Sequence, residues 1–138
     1  APERTVVCVS GDGSFLMNVQ ELAVAVEEKA NVKIVVMDNR SLGLVHQQQD
    51  LFYGGRRYAA DFRAAVDFVK VAEGFGMRAF DLVASDDPRA TVIRAFRQPG
   101  PCLIHAPIGA DEHVYPMVPP GTANKDMIGG PTHVTTCV

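Results

Sequence analysis

The sequence has no basic excess: Arg56-Arg57 is its only adjacent basic pair, and 13 Lys and Arg against 16 Asp and Glu leave a net charge of −3. With a pI near 5.7, that balance excludes the electrostatic footprint of a nucleic-acid binder. No apolar stretch approaches the ~20 residues needed to cross a bilayer, and no signal-peptide pattern opens the chain, so no membrane partner is expected. Cysteine is scarce. Cys8, Cys102 and Cys137 are an odd number with no CxxC spacing. Cys8 and Cys102 fall in predicted strands and read as buried small hydrophobes, a usage that fits a reducing, cytoplasmic location. The four histidines, His46, His105, His113 and His133, show no metal-ligand spacing. His105, within a strand, reads as a hydrogen-bonded core histidine.

What is present is the composition of one globular domain: 138 residues, 47% of them hydrophobic, enough to bury a real core. Thr5 to Ser10 and Val32 to Met37 are continuous apolar runs of the kind that parallel strands show when buried on both faces. Between them, Asn18 and Glu21 have capping-box spacing. They predict a helix to about Lys29, with Val19, Leu22, Ala23 and Val26 facing the sheet. Further helices are predicted over Leu42–Leu51, from Asp67 to about Gly74, and from Asp86-Asp87-Pro88 to about Gln98. Arg78–Leu82 and Pro101–Pro107 read as strands. The order β-α-β-α-α-β-α-β predicts an α/β fold with an open, mostly parallel sheet flanked by helices. Residues 1–113 form the expected domain. Residues 114–138 form a proline-rich arm, extended over Val114–Gly121, and a tail without clear periodicity from Pro131 to Val138. Ala1-Pro2-Glu3-Arg4 leads into the first strand without a starter methionine, so the chain is expected to be part of something longer.

The first apolar run ends in Gly11-Asp12-Gly13-Ser14. The second ends in Asp38-Asn39, after the 24 residues 14–37 that follow Gly13. A lone Gly-Asp-Gly is usually a turn. Here each motif closes a parallel strand, and one helix joins the two strands. A right-handed crossover brings Asp12 and Asn39 to the same edge of the sheet, where open α/β sheets bind ligands. A carboxylate and an amide oxygen are hard donors, suited to Mg2+ or Ca2+ rather than zinc or copper. So few protein oxygens fit a magnesium that completes its shell with a bound phosphate. Gly11 and Gly13 let the backbone approach that phosphate, and Ser14 can donate to it.

This pattern resembles the diphosphate-binding signature of thiamine-diphosphate enzymes, with Asp38 where the family often has a first Asn. Three segments, GDGSFLMNVQEL from Gly11, LGLVHQQQDLFY from Leu42 and VYPMVPPGTAN from Val114, are similar to the catalytic large subunit of acetolactate synthase. The match corresponds to the later part of its C-terminal cofactor domain, so the fold is expected to be a thiamine-diphosphate-binding fold incomplete on its N-terminal side. The resemblance implies magnesium held by the side chains of Asp12 and Asn39 and by the backbone carbonyl of Ser41. It implies Gly13, Ser14 and Gly43 along the diphosphate and Leu44 beneath the thiazolium, with Val45 lining the same pocket. Gln48 would stand on the substrate channel, where many members carry tryptophan. For Leu44 and Val45 the bland alternative is helix core packing; for Gln48 it is a solvated helix position. The loop Phe52–Phe62 and the arm would cover the site.

The implied reaction decarboxylates pyruvate on thiamine diphosphate. The hydroxyethyl carbanion then condenses with a second 2-keto acid, pyruvate or 2-ketobutyrate, on the route to valine and isoleucine. The family's cofactor-activating glutamate and its FAD-binding domain lie outside the matched region, so no catalytic acid or base is named in this chain, which alone is expected to be inactive. Glu21 and Glu27-Glu28 read as cap and solvated face. Implied partners are further catalytic subunits, as a dimer or tetramer, and a small regulatory subunit. Two alternatives stand beside this reading: another thiamine-diphosphate-dependent 2-keto-acid decarboxylase or oxidase, and a non-catalytic assembly fragment.

Overall fold

The computed structural model describes residues 3–129; the expectations about the tail from Pro131, His133 and Cys137 lie outside them. Four strands, β1 (Val6–Gly11), β2 (Val32–Asp38), β3 (Arg78–Asp81) and β4 (Cys102–Pro107), form a parallel sheet in the order β1-β2-β4-β3. Five helices accompany them: α1 (Asp12–Leu16), α2 (Glu21–Glu27), α3 (Gly43–Phe52), α4 (Phe68–Gly74) and α5 (Pro88–Arg97). The α/β class and the parallel sheet flanked by helices are as the alternation predicts.

Strand register sorts the core. Ile34 lies opposite Leu103 and Val35 opposite Ile104. Because successive strand residues face opposite sides, the first pair packs with Phe15, Leu22, Phe68, Ala72 and Met77 on one face. The second pair packs with Ala95, Cys102 and Phe80 under α5. Asp67 and Asp87 cap α4 and α5 as expected, each Oδ1 accepting from the backbone N–H three residues on, at 3.0 and 2.9 Å. Lys33, wholly buried on β2, donates from Nζ to the carbonyls of Gln98 and Gly100, each at 2.6 Å. A cation at these otherwise free carbonyls complements the end of α5.

Three expectations need correction. β1 is not buried on both faces: among the described residues it is an edge strand paired only with β2, and Val6, Val7 and Val9 are exposed, as is Cys8. Burial of an apolar strand depends on neighbours in space, which its own composition cannot reveal. The helix predicted from Asn18 to about Lys29 is α2, which starts later, at Glu21, and an unpredicted helix, α1, precedes it. The chain turns helical at Asp12, directly after β1, and loosens over residues 17–20 before α2. Asn18 contributes its backbone carbonyl, accepting from Glu21 N–H at 3.1 Å, and no side-chain cap forms. Leu22, Val19 and Val26 reach the core, but Ala23 is exposed and Ala25 takes its place.

Among the described residues, no helix is long and apolar enough to cross a membrane. Over its described residues the arm beyond β4 forms neither α-helix nor sheet strand; Met117 and Ile128 make an isolated bridge and Asn124–Asp126 a single 3-10 turn. Its first residues are pinned to α3. The side-chain amide of Gln47 accepts from Val114 N–H at 2.9 Å and donates to the Val114 carbonyl at 2.8 Å.

Candidate cofactor and metal site

Register places Gly11 beside Met37, so the ends of β1 and β2 deliver Asp12 and Asn39 to one rim of the sheet. A pocket of about 480 Å³ opens there. Gly11, Asp12, Gly13, Ser14, Asn39, Ser41, Gly43, Leu44 and Val45 all line it, joined by Met37, Leu42, Gln47, Ile108, Glu112 and Val114. The nine residues singled out from sequence therefore share one cavity. Gln48 does not: it is exposed, in an adjoining groove of about 330 Å³ with Gln49, Tyr53 and Arg56, and Val45 borders both.

Asp12 is almost wholly buried, 2% exposed. Its Oδ1 accepts from Gly13 N–H at 2.7 Å, while Oδ2 has no hydrogen-bond partner. Burial raises its pKa above the usual carboxylate value and the neighbouring Asp38 carboxyl raises it further, against the opposing Gly13 N–H. Asp38 is shifted the other way. Burial would raise it, but the His105 ring, the neighbouring Asp12 carboxyl and the Arg40 N–H hold it below its ordinary value. His105 lies between two carboxylates, its Nε2 3.0 Å from Asp38 Oδ2 and its Nδ1 3.1 Å from Asp81 Oδ1. The hydrogen-bonded core histidine of the sequence reading thus braces the acid beside Asp12.

Asn39 Oδ1 accepts from Ser41 N–H at 3.0 Å, which fixes the amide at the rim. Ser41 is buried and bridges Asp61, but the bridge bonds run from Leu42 N–H to Ala60 and from Phe62 N–H to Arg40. They leave the Ser41 carbonyl outside the ladder. An unpaired buried carboxylate oxygen beside an amide oxygen and a carbonyl is a set of hard oxygen donors, and the residues fit a divalent cation. Two glycines keep the cradle open. A Cβ on Gly13 would lie 2.8 Å from Leu42 Cδ2 and 3.2 Å from the Phe62 ring; one on Gly43 would lie 2.8 Å from Asn39 Nδ2.

Leu44 is 60% exposed and Val45 43% exposed, both at this pocket. Helix core packing does not account for them, since both stand exposed on the pocket wall. Sequence reasoning missed Gln47 and Glu112 on the lining. The signal for Gln47 was weak, since nothing local marks the first glutamine of three as the one that turns inward and clamps the arm.

Residues 1–106 match the family described as thiamine pyrophosphate enzyme, C-terminal TPP binding domain. The chain belongs to this family. Thiamine pyrophosphate and thiamine diphosphate are one compound, and the matched span includes Asp12, Asn39, Ser41, Leu44 and Val45 of the cavity just described. Among curated proteins, the chain is 51% identical over 128 residues to the acetolactate synthase isozyme 1 large subunit of Escherichia coli, covering 93% of this chain and 23% of that protein. It is 40% identical to the isozyme 2 large subunit of the same organism, over 92% of this chain and 23% of that one. The chain thus spans under a quarter of the length of these relatives. Among solved structures, a Rhodococcus jostii thiamine diphosphate-dependent 4-hydroxybenzoylformate decarboxylase superposes with a TM-score of 0.70 at 26% identity, over 81% of this chain and 21% of that one.

For a TPP-binding domain, the Gly43 contact makes a clean prediction. Gly43 has no left-handed backbone, so alanine suits its helix position. Its methyl would nevertheless push Asn39 off the rim. Gly43→Ala is expected to leave the thermal midpoint within a few degrees while weakening thiamine pyrophosphate binding about tenfold, the low end of the ~1–3 kcal/mol cost of overpacking. Unchanged binding by calorimetry would remove Asn39 from the cofactor's surroundings.

Proposed function

We propose that this chain is the diphosphate- and metal-binding part of an acetolactate synthase large subunit, whose whole protein forms 2-acetolactate from two pyruvates, or 2-aceto-2-hydroxybutyrate when 2-ketobutyrate is the second substrate. The observation that carries it is the pocket of Asp12, Asn39 and Ser41 walled by Leu44 and Val45, in a chain half identical to such a subunit. The 26% identity to an aryl-substrate decarboxylase supports the fold and leaves that chemistry the weaker reading.

When bound, thiamine diphosphate supplies the electron sink for loss of carbon dioxide from a 2-keto acid. The chain's own residues bind and orient. Asp12 Oδ2, Asn39 Oδ1 and the Ser41 carbonyl would hold Mg2+, and its charge would relieve the repulsion between Asp12 and Asp38. Gly13, Ser14 and Gly43 would border the diphosphate. Leu44 and Val45 present an apolar wall, and the arm, clamped at Val114 by Gln47, shields the pocket mouth from water. No residue here is assigned as general base. FAD, the remaining domains, further catalytic subunits and a small regulatory subunit belong to the same proposal for the whole protein, in the cytoplasm.

Gln48 bears on the second substrate. A tryptophan there would offer a broad apolar face to the extra methyl of 2-ketobutyrate, and one methylene is worth about 1–3 kcal/mol in such a pocket. The exposed Gln48 lacks that face, so the whole enzyme is expected to form 2-acetolactate from pyruvate and to prefer 2-ketobutyrate only weakly. A competition assay with both acids checks this. No acetolactate at all would overturn the proposed reaction, and a strong preference for the four-carbon acid would overturn the role of Gln48.

A further inference from the structure

A second set of ligand-type side chains lies apart from the cofactor pocket, and none of its three members lines that pocket. His46 and Asp50, one turn apart on α3, meet His113 from the arm, and one ligand atom from each lies within 4.8 Å of the others. His46 Nε2 is 3.3 Å and His113 Nε2 is 3.5 Å from the same oxygen, Asp50 Oδ2. Donor atoms on a tetrahedral zinc stand about 3.3 Å apart, the edge that bonds of ~2.0–2.1 Å generate. Sequence spacing gave no hint of this, because His113 is brought in only when Gln47 clamps the arm.

Hydrogen bonding does not account for the cluster. His46 is 1% exposed, and among the described residues neither of its ring nitrogens has an aligned hydrogen bond; His113 Nε2 has none either. Buried polar atoms are rarely left so. Asp61 Oδ1 stands 3.2 Å from His46 Nδ1, off the N–H axis but near enough to keep the proton there by charge. That leaves the Nε2 lone pair toward Asp50, the carboxylate–histidine arrangement that orients metal-bound imidazoles. Arg57 holds Asp50 from its other side, Nε to Oδ1 at 2.8 Å and a terminal nitrogen to Oδ2 at 2.9 Å. Asp111 adds a third carboxylate, 3.9 Å from His46 Nε2 and 3.3 Å from Arg57. Three carboxylates stand against one guanidinium, so the fixed charges of the cluster favour a cation.

We propose that His46, Asp50 and His113 bind a borderline divalent cation of the zinc class, with Asp61 as the outer partner of His46. Two imidazole nitrogens select such an ion over magnesium, whose preferred ligands are all oxygen. Bound there, the ion ties the arm to α3 one residue from Val114, at the mouth of the cofactor pocket. The proposal does not depend on the reaction the whole enzyme catalyses.

The test uses the full 138-residue chain with excess Mg2+ present to occupy the oxygen site. Equilibrium dialysis against Zn2+ should retain about one equivalent, and Co2+ in its place should give an intense tetrahedral visible spectrum without a thiolate charge-transfer band. His113→Gln and Asp50→Asn should each lower retention at least tenfold, and Asp61→Asn about tenfold, the low end of ~10–100-fold for such outer partners. Asp12→Asn should leave it unchanged. Zn2+, and not Mg2+, should raise the thermal midpoint of the unmodified chain, a readout that needs no variant to fold. Zinc held equally by His113→Gln and Asp50→Asn, a cobalt spectrum with thiolate bands or octahedral weakness only, or no retention would each overturn the proposal.

Discussion

Asp12→Asn is expected to cut magnesium-dependent diphosphate binding by roughly a hundredfold while making the metal-free chain more stable. The loss follows from charge. A cation held by Asp12 Oδ2 would lose its one fully buried carboxylate, and breaking a buried charge pair costs about 3 kcal/mol or more. The gain follows from the pKa shift. Asp12 is raised in the folded chain, chiefly by burial and further by Asp38, so the folded state binds its proton more tightly than the unfolded state does. Its contribution to stability is therefore complete below the ordinary carboxylate range and lost as pH rises through the raised value. Near neutral pH, without a cation, the ionised group is a net cost. Asparagine keeps the Oδ1 acceptor for Gly13 N–H and offers an amide to Asp38. Thermal midpoints in EDTA should show the variant above the parent chain near neutrality and the difference closing in acid. Calorimetry with Mg2+ should show the binding loss. A variant less stable in EDTA, or one that binds as the parent does, contradicts this assignment.

The second large effect is the absence of turnover: the 138-residue chain on its own is expected to bind thiamine diphosphate weakly and to form no acetolactate from pyruvate. Of the residues lining the pocket, only Asp12 and Glu112 are acids. Asp12 would be committed to the metal, and Glu112 is exposed beside Gly109. The apolar edge at Val6, Val7 and Val9 is also open to pairing with other chains, so self-association at high concentration is expected. A carbon-dioxide release assay on the purified chain checks the first point. Measurable turnover would mean that an activating acid is present here, with Glu112 the first candidate.

The cofactor pocket was legible because its logic is local. Each motif ends a strand, and a parallel βαβ crossover brings two such ends together whatever packs elsewhere. The same reasoning gave the strands in their sequence order, the helix starts at Asp67 and Asp87, and a hydrogen-bonded His105. What escaped it depends on contacts distant in sequence. Val6 to Val9 have the composition of a central strand and lie at an edge. Cys8, by the same cause, is exposed although Cys102, on an inner strand, is buried. The short helix α1 directly after β1 went unread, and α2 starts at Glu21 rather than at Asn18, whose side-chain cap does not form. The pairing of His46 with His113 needs the arm folded back, which no periodicity encodes.

The most direct test of the central claim is an anomalous-difference map from a crystal of this chain soaked with Mn2+ and thiamine diphosphate, at concentrations that overcome weak binding. The account predicts a manganese peak coordinated by Asp12 Oδ2, Asn39 Oδ1 and the Ser41 carbonyl, with the diphosphate completing the shell against Gly13 and Gly43. A diphosphate bound elsewhere, or manganese found only at His46, Asp50 and His113 with Asp12 Oδ2 uncoordinated, would contradict it.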